Sequence, residues 1–182
     1  MAMGWSPAQP GSPSLDNRVP ARRNKLRGST VKWITRERPK TDRIACPWLI
    51  RRFIDPHAEI VYVANEEVLA VARATGGHSF DAPGAEYAHR VMSAGDEWCT
   101  FETLVDAYGL GANLALARLA KIIHAADVSA DIDTDALGRG LLAIGVGGLD
   151  VEPDDDRLLD RAAFVYDALY AWCERVVRQP SV

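Results

Sequence analysis

Two runs, VKWITRE (31–37) and AEIVYVA (58–64), read as strands: the first alternates apolar and polar residues, the second is rich in β-branched and aromatic ones. Between them Ile44, Trp48, Ile50, Phe53 and Ile54 recur at helical spacing until Asp55-Pro56 breaks the pattern. Strands parted by a helix cannot close as a hairpin, so they pair in parallel through a crossover. NEEVLAVARATGG (65–77) adds a second helix, capped by Asn65 and stopped by Gly76-Gly77, and HSFDAPGAE (78–86) starts a third short strand that runs into a loop. The expected fold is α/β, a small, mostly parallel three-stranded β-α-β-α-β sheet followed by a helical C-terminal half.

That second half is read from four segments. CTFETLVDAYGL opens a helix at Thr100 that Gly109 stops, and NLALARLAKIIHAAD (113–127) puts Leu116, Leu119, Ile123 and Ala126 on one face. TDALGRGLLAIGVGGL (134–149) is helical but rich in glycine. DDDRLLDRAAFVYDALYAWCERVV (154–177) places Leu159, Ala163, Tyr166, Leu169, Cys173 and Val176 on a buried stripe. In the first half Pro39, Thr41 and Asp42 supply a break and candidate N-caps, and Pro47 is compatible with a helix whose first turn it occupies.

The first thirty residues are rich in Pro, Gly and Ser and show no period, so they read as a disordered, basic tail ahead of a single domain at 31–182. No apolar segment follows the twin Arg22 and Arg23, and no run approaches the ~20 apolar residues of a membrane-spanning helix. Cys46, Cys99 and Cys173 are scattered, as expected of reduced thiols. A cytoplasmic location without membrane attachment is the expectation.

Charge is unevenly placed. Residues 31–52 carry seven basic and two acidic side chains, whereas the remaining 130 beyond them carry nine basic and 22 acidic. A duplex-DNA reader shows a basic face over its folded body, so this acidic body argues against direct DNA binding. Arg36, Arg38, Arg43, Arg51 and Arg52 lie around a helix N-terminus, and guanidinium forks match small oxyanions. The competing reading of these arginines is a solvated face paired with the acidic remainder.

Two pairs have metal-ligand spacing. Glu86 and His89 stand three apart in GAEYAH, as do His124 and Asp127 in IIHAAD, and on a helix such neighbours share a face. Mixed N and O donors suit a divalent zinc, iron or manganese ion. Cys99 and Glu102 repeat the spacing, and a thiolate would favour zinc. The plain alternative is two solvated or hydrogen-bonded pairs. Cys46, near a helix N-terminus between Arg43 and Arg51, is either a reactive thiol or a small core side chain among Ile44, Trp48 and Leu49.

KWITRERPKTDRIACPWLIRRFIDPHAEIVYV, FDAPGAEYAH, CTFETLVDAYGL, LARLAKIIHAAD and VYDALYAWC, in that order, resemble the C-terminal domain of the chromate resistance ChrB family in its stand-alone form. The resemblance implies a chromate-responsive regulator or accessory protein acting alongside a chromate efflux transporter. It also implies a role for Glu86, His89, Cys99, His124 and Asp127. Two functions follow as expectations: an oxyanion-sensing domain with a bound divalent metal, or a metal-dependent redox or hydrolytic enzyme supporting detoxification. The partners expected are a small inorganic oxyanion, with a regulatory protein or a second copy of the chain as macromolecular candidates.

Overall fold

A computed structural model describes residues 30–93 and 95–179. The tail expected at the N-terminus lies almost wholly outside the described residues. The parallel sheet is present: β1 (Lys32–Arg36) is central, with β2 (Glu59–Val63) on one side and β3 (His78–Ser79) on the other. β1 and β2 pair in parallel from Lys32 opposite Glu59 to Arg36 opposite Val63. Helix α1 (Asp42–Leu49) makes the first crossover and α2 (Val68–Thr75) the second. Gly76 ends α2 at φ +65°, the left-handed conformation that its missing Cβ permits. Asn65 starts a 3-10 turn ahead of α2 and makes no capping bond, so the helix proper begins at Val68.

Pro47 sits inside α1, past the first turn. A proline there leaves the carbonyl one turn earlier without its helical donor. That carbonyl belongs to Arg43, and the Tyr62 hydroxyl of β2 donates to it at 2.9 Å. Beyond α1 the chain widens into a π-helical turn, Ile50–Ile54, in which Asp55 N–H donates to Ile50 O at 2.7 Å.

Between sheet and helices lies a hairpin, β4 (Arg90–Val91) with antiparallel β5 (Glu97–Trp98). The segment carries no strand signal in the sequence, because its strands are too short to show a period. Helices α3 (Thr100–Ala107), α4 (Leu114–Asp127), α5 (Gly138–Val151) and α6 (Asp155–Arg178) complete the described chain. All four apolar positions expected on one face of α4 are buried, and the Asn113 side chain caps that helix by accepting from Ala115 and Leu116 N–H. On α6 the buried residues are Leu158, Leu159, Tyr166, Tyr170 and Cys173, so the stripe drifts from the expected one toward Tyr170.

The core joins Trp33 and Ile60 of the sheet to Leu49 of α1, Leu104 of α3, Leu119 of α4 and Tyr166 of α6. At the start of α5, Gly138 lies close against α4: a Cβ there would stand 2.8 Å from that of Ala125. Among the described residues, no helix is long and apolar enough to cross a membrane.

Candidate functional site

The N-terminal turn of α1 meets the end of β3, the start of the hairpin and the C-terminus of α4 at a cleft of about 490 Å³. Its lining includes Arg36, Lys40, Asp42, Arg43, Asp81, His89 and Asp127. Asp42, in the position of a first-turn acid for its own helix, instead serves another. Its Oδ2 accepts from the Thr100 and Phe101 amides at the N-terminus of α3, at 2.6 and 3.3 Å. The second oxygen, Oδ1, is buried and has no hydrogen-bond partner among the described residues.

His89 is the centre of the arrangement. Nε2 lies 3.0 Å from Asp127 Oδ2 and 3.7 Å from both Asp42 Oδ2 and Asp81 Oδ1. Nδ1 lies 3.0 Å from Glu97 Oε1 on β5. A carboxylate on the far ring nitrogen is how metal-binding histidines are oriented. The hydrogen bond to Asp127 pushes the imidazole up to about 10, against burial and with help from Glu97. Burial, reinforced by the Asp127 and Asp81 charges, holds the Asp42 carboxyl well above the usual carboxylate range. Burial also raises Asp81, and Arg36 opposes it.

Asp81 anchors the basic wall. It adopts φ +47°, a left-handed conformation that Asp tolerates better than most residues. Its Oδ2 lies 3.0 Å from Arg36 Nη2 and 3.2 Å from Arg43 Nε, and its Oδ1 accepts from the Thr100 hydroxyl at 3.1 Å. Three carboxylates therefore face one imidazole and two guanidiniums. One ligand atom each from Asp42, His89 and Asp127 lies within 4.8 Å of the others, a spacing suited to one cation. Carboxylates with one imidazole fit manganese, iron or zinc.

The expected ligand set is redistributed. Residues 86–89 are not helical; Tyr87 pairs with the strand at Phe80, and Glu86 turns to His78 Nδ1 at 2.8 Å. His124 and Asp127 do share α4, but His124 faces Glu102 and Asp131 while Asp127 faces His89. So one member of each expected pair, His89 and Asp127, joins the cleft, and Glu86 and His124 do not. Asp42, Asp81 and Glu97 went unread as site residues. Asp42 carried only a capping signal, and the other two had no spacing signal at all.

The five arginines divide as well. Arg36 and Arg43 wall the cleft. Arg38 is exposed at φ +57°, its N–H donating to Asp155 Oδ2 at 2.9 Å. Arg51 and Arg52, on the π-helical turn, face Asp160 and Asp167 of α6 at 3.6 and 2.7 Å. The five arginines expected to form one anion site therefore do not converge: Arg36 and Arg43 line the cleft with Lys40, and Arg38, Arg51 and Arg52 lie elsewhere. Cys46 is fully buried, and burial followed by the charge of Asp42 pushes its thiol well up; the dipole and arginine argument for a reactive thiolate fails because no solvent reaches it. Cys99 is likewise buried and raised, first by burial and then by Asp42.

Residues 33–173 match the family model described as the C-terminal domain of ChrB. Protein ChrB of Cupriavidus metallidurans is 38% identical over 162 residues, which are 88% of this chain and 46% of that protein. The chain thus spans about half the length of this curated relative. No solved structure matches it.

Proposed function

Because the chain belongs to the family of the ChrB C-terminal domain, we propose that it serves chromate resistance as a metal-holding, oxyanion-responsive domain. Asp42, His89 and Asp127 hold a divalent ion, and Arg36, Arg43 and Lys40 offer positive charge to a tetrahedral dianion in the same cleft. Asp42 carries the reading. A carboxylate is rarely buried without a partner for each oxygen, and this one faces two further carboxylates. A cation held among these ligand atoms would offset the repulsion between the carboxylates.

A second reading rests on the openness of the same centre. Three protein ligands facing a cleft leave coordination positions for water or substrate, the pattern of catalytic rather than structural metals. An ion held by Asp42, His89 and Asp127 would supply Lewis-acid chemistry, and Glu97 would keep His89 in the orientation needed to hold it.

Elemental analysis of protein purified without added metal, followed by thermal unfolding with chromate or sulfate, tests the proposal. The wild type is expected to hold about one equivalent more of manganese, iron or zinc than the Asp42→Asn/His89→Ala variant. Chromate is expected to raise the melting temperature of the wild type and to do so less for Arg36→Gln. Equal metal content in wild type and variant, together with identical chromate shifts, overturns it.

A further inference from the structure

His124, left out of the first cleft, belongs to a second cluster. Cys99 precedes α3 and Glu102 lies in its first turn, where Glu102 Oε2 accepts the Cys99 N–H at 3.0 Å. Packing of α4 against α3 brings His124 Nδ1 to 2.7 Å from the same Glu102 oxygen. Past the end of α4, Asp131 comes back to His124 Nε2 at 2.9 Å. One ligand atom from each of Cys99, Glu102 and His124 lies within 4.8 Å of the other two. A separate cleft of about 340 Å³ opens onto Glu102, His124 and Asp131, with Asp96 and Glu97 beside them.

We propose that Cys99, Glu102 and His124 form a second, thiolate-bearing divalent-cation site of the zinc class. Sulfur, nitrogen and oxygen donors in one cluster favour zinc over the harder ions suited to carboxylate sites. With Nδ1 on the cation, Nε2–H keeps its bond to Asp131, the carboxylate-histidine-metal relation that fixes tautomer and ring orientation. Asp131 is then a positioning residue, and the cleft, lined also by Lys121, opens onto Glu102 and His124, two of the three ligands. The site shares no ligand with Asp42, His89 and Asp127, so it stands or falls independently of the function proposed above.

Cobalt(II) is the probe, because only a thiolate ligand adds an intense near-ultraviolet charge-transfer band to its spectrum. Titration of the whole chain is expected to produce that band with one equivalent of cobalt. The band is expected to survive Asp42→Asn/His89→Ala and to vanish in Cys99→Ser, with added zinc displacing it in the wild type. Asp131→Asn is expected to weaken cobalt binding by roughly tenfold or more. If Cys99→Ser does not fold, as judged by circular dichroism, the decision passes to Glu102→Gln, in which the band must weaken. A band that persists in Cys99→Ser, or wild-type cobalt binding without one, overturns the proposal.

Discussion

Arg36 and Arg43 on one side, and Arg51 and Arg52 on the other, come from one short basic stretch and end in different electrostatic settings. The first pair converges on the buried Asp81 beside the cleft, and Arg43 keeps only 16% of its side chain exposed. The second pair lies on the π-helical turn against α6. Arg52 rests over Trp48, Phe53 and Tyr170, at 5.4 to 5.9 Å from the ring centroids, and Arg51 reaches Asp160 with 42% of its side chain exposed. Equal charge in the sequence becomes unequal energy in the fold, because burial sets how strongly a pair is felt.

The largest expected effect comes from Arg43→Ala. It leaves Asp81 with Arg36 as its remaining guanidinium partner, at the low end of the cost of breaking a buried ion pair, about 3 kcal/mol. Guanidinium denaturation followed by circular dichroism measures it. Asp167→Ala is intermediate. It strips the acceptor from Trp48 Nε1, which donates to Asp167 at 3.0 Å, and the partner from Arg52. Leaving the indole N–H unsatisfied costs about 1–2 kcal/mol on the same curve. Arg51→Ala is smallest, below about 0.5 kcal/mol, as for exposed pairs generally. If Arg51→Ala costs as much as Arg43→Ala, the contrast between the two pairs is broken. A graded series sharpens it.

The parallel sheet and the main helices were legible because their signals are local. β1 and β2 carry strand-forming residues over five positions each, and α4 shows its apolar face over four turns. The β4–β5 hairpin was not legible, since two residues per strand cannot display alternation. Without that hairpin Glu97 has no route to His89. The same limit governs the site. The i, i+3 spacing picked out His89 and Asp127, which the fold brings to one cleft, yet it matched each with a residue that turns elsewhere. The pairing that forms crosses from the loop before β4 to the end of α4, and no helical period reports such a distance. Asp42 shows the point most plainly: it reads as a cap in sequence and is one, but for a helix whose amides lie 58 residues away. The split of the arginines was equally hidden, because it depends on the π-helical turn that carries Arg51 and Arg52 round to α6.

The bond from Tyr62 to the Arg43 carbonyl gives Pro47 a meaning beyond helix geometry. Burial keeps the Tyr62 phenol protonated, so it is always a donor. The carbonyl it serves is the one that Pro47 denies a partner within α1. Proline and tyrosine thus form a two-part latch between a helix and a strand with no contact in sequence. Sliding β2 by one residue would swing Tyr62 to the opposite face of the sheet and leave the carbonyl bare. The alignment of the sheet is therefore checked a second time, from the helix, at the residue whose side chain walls the cleft.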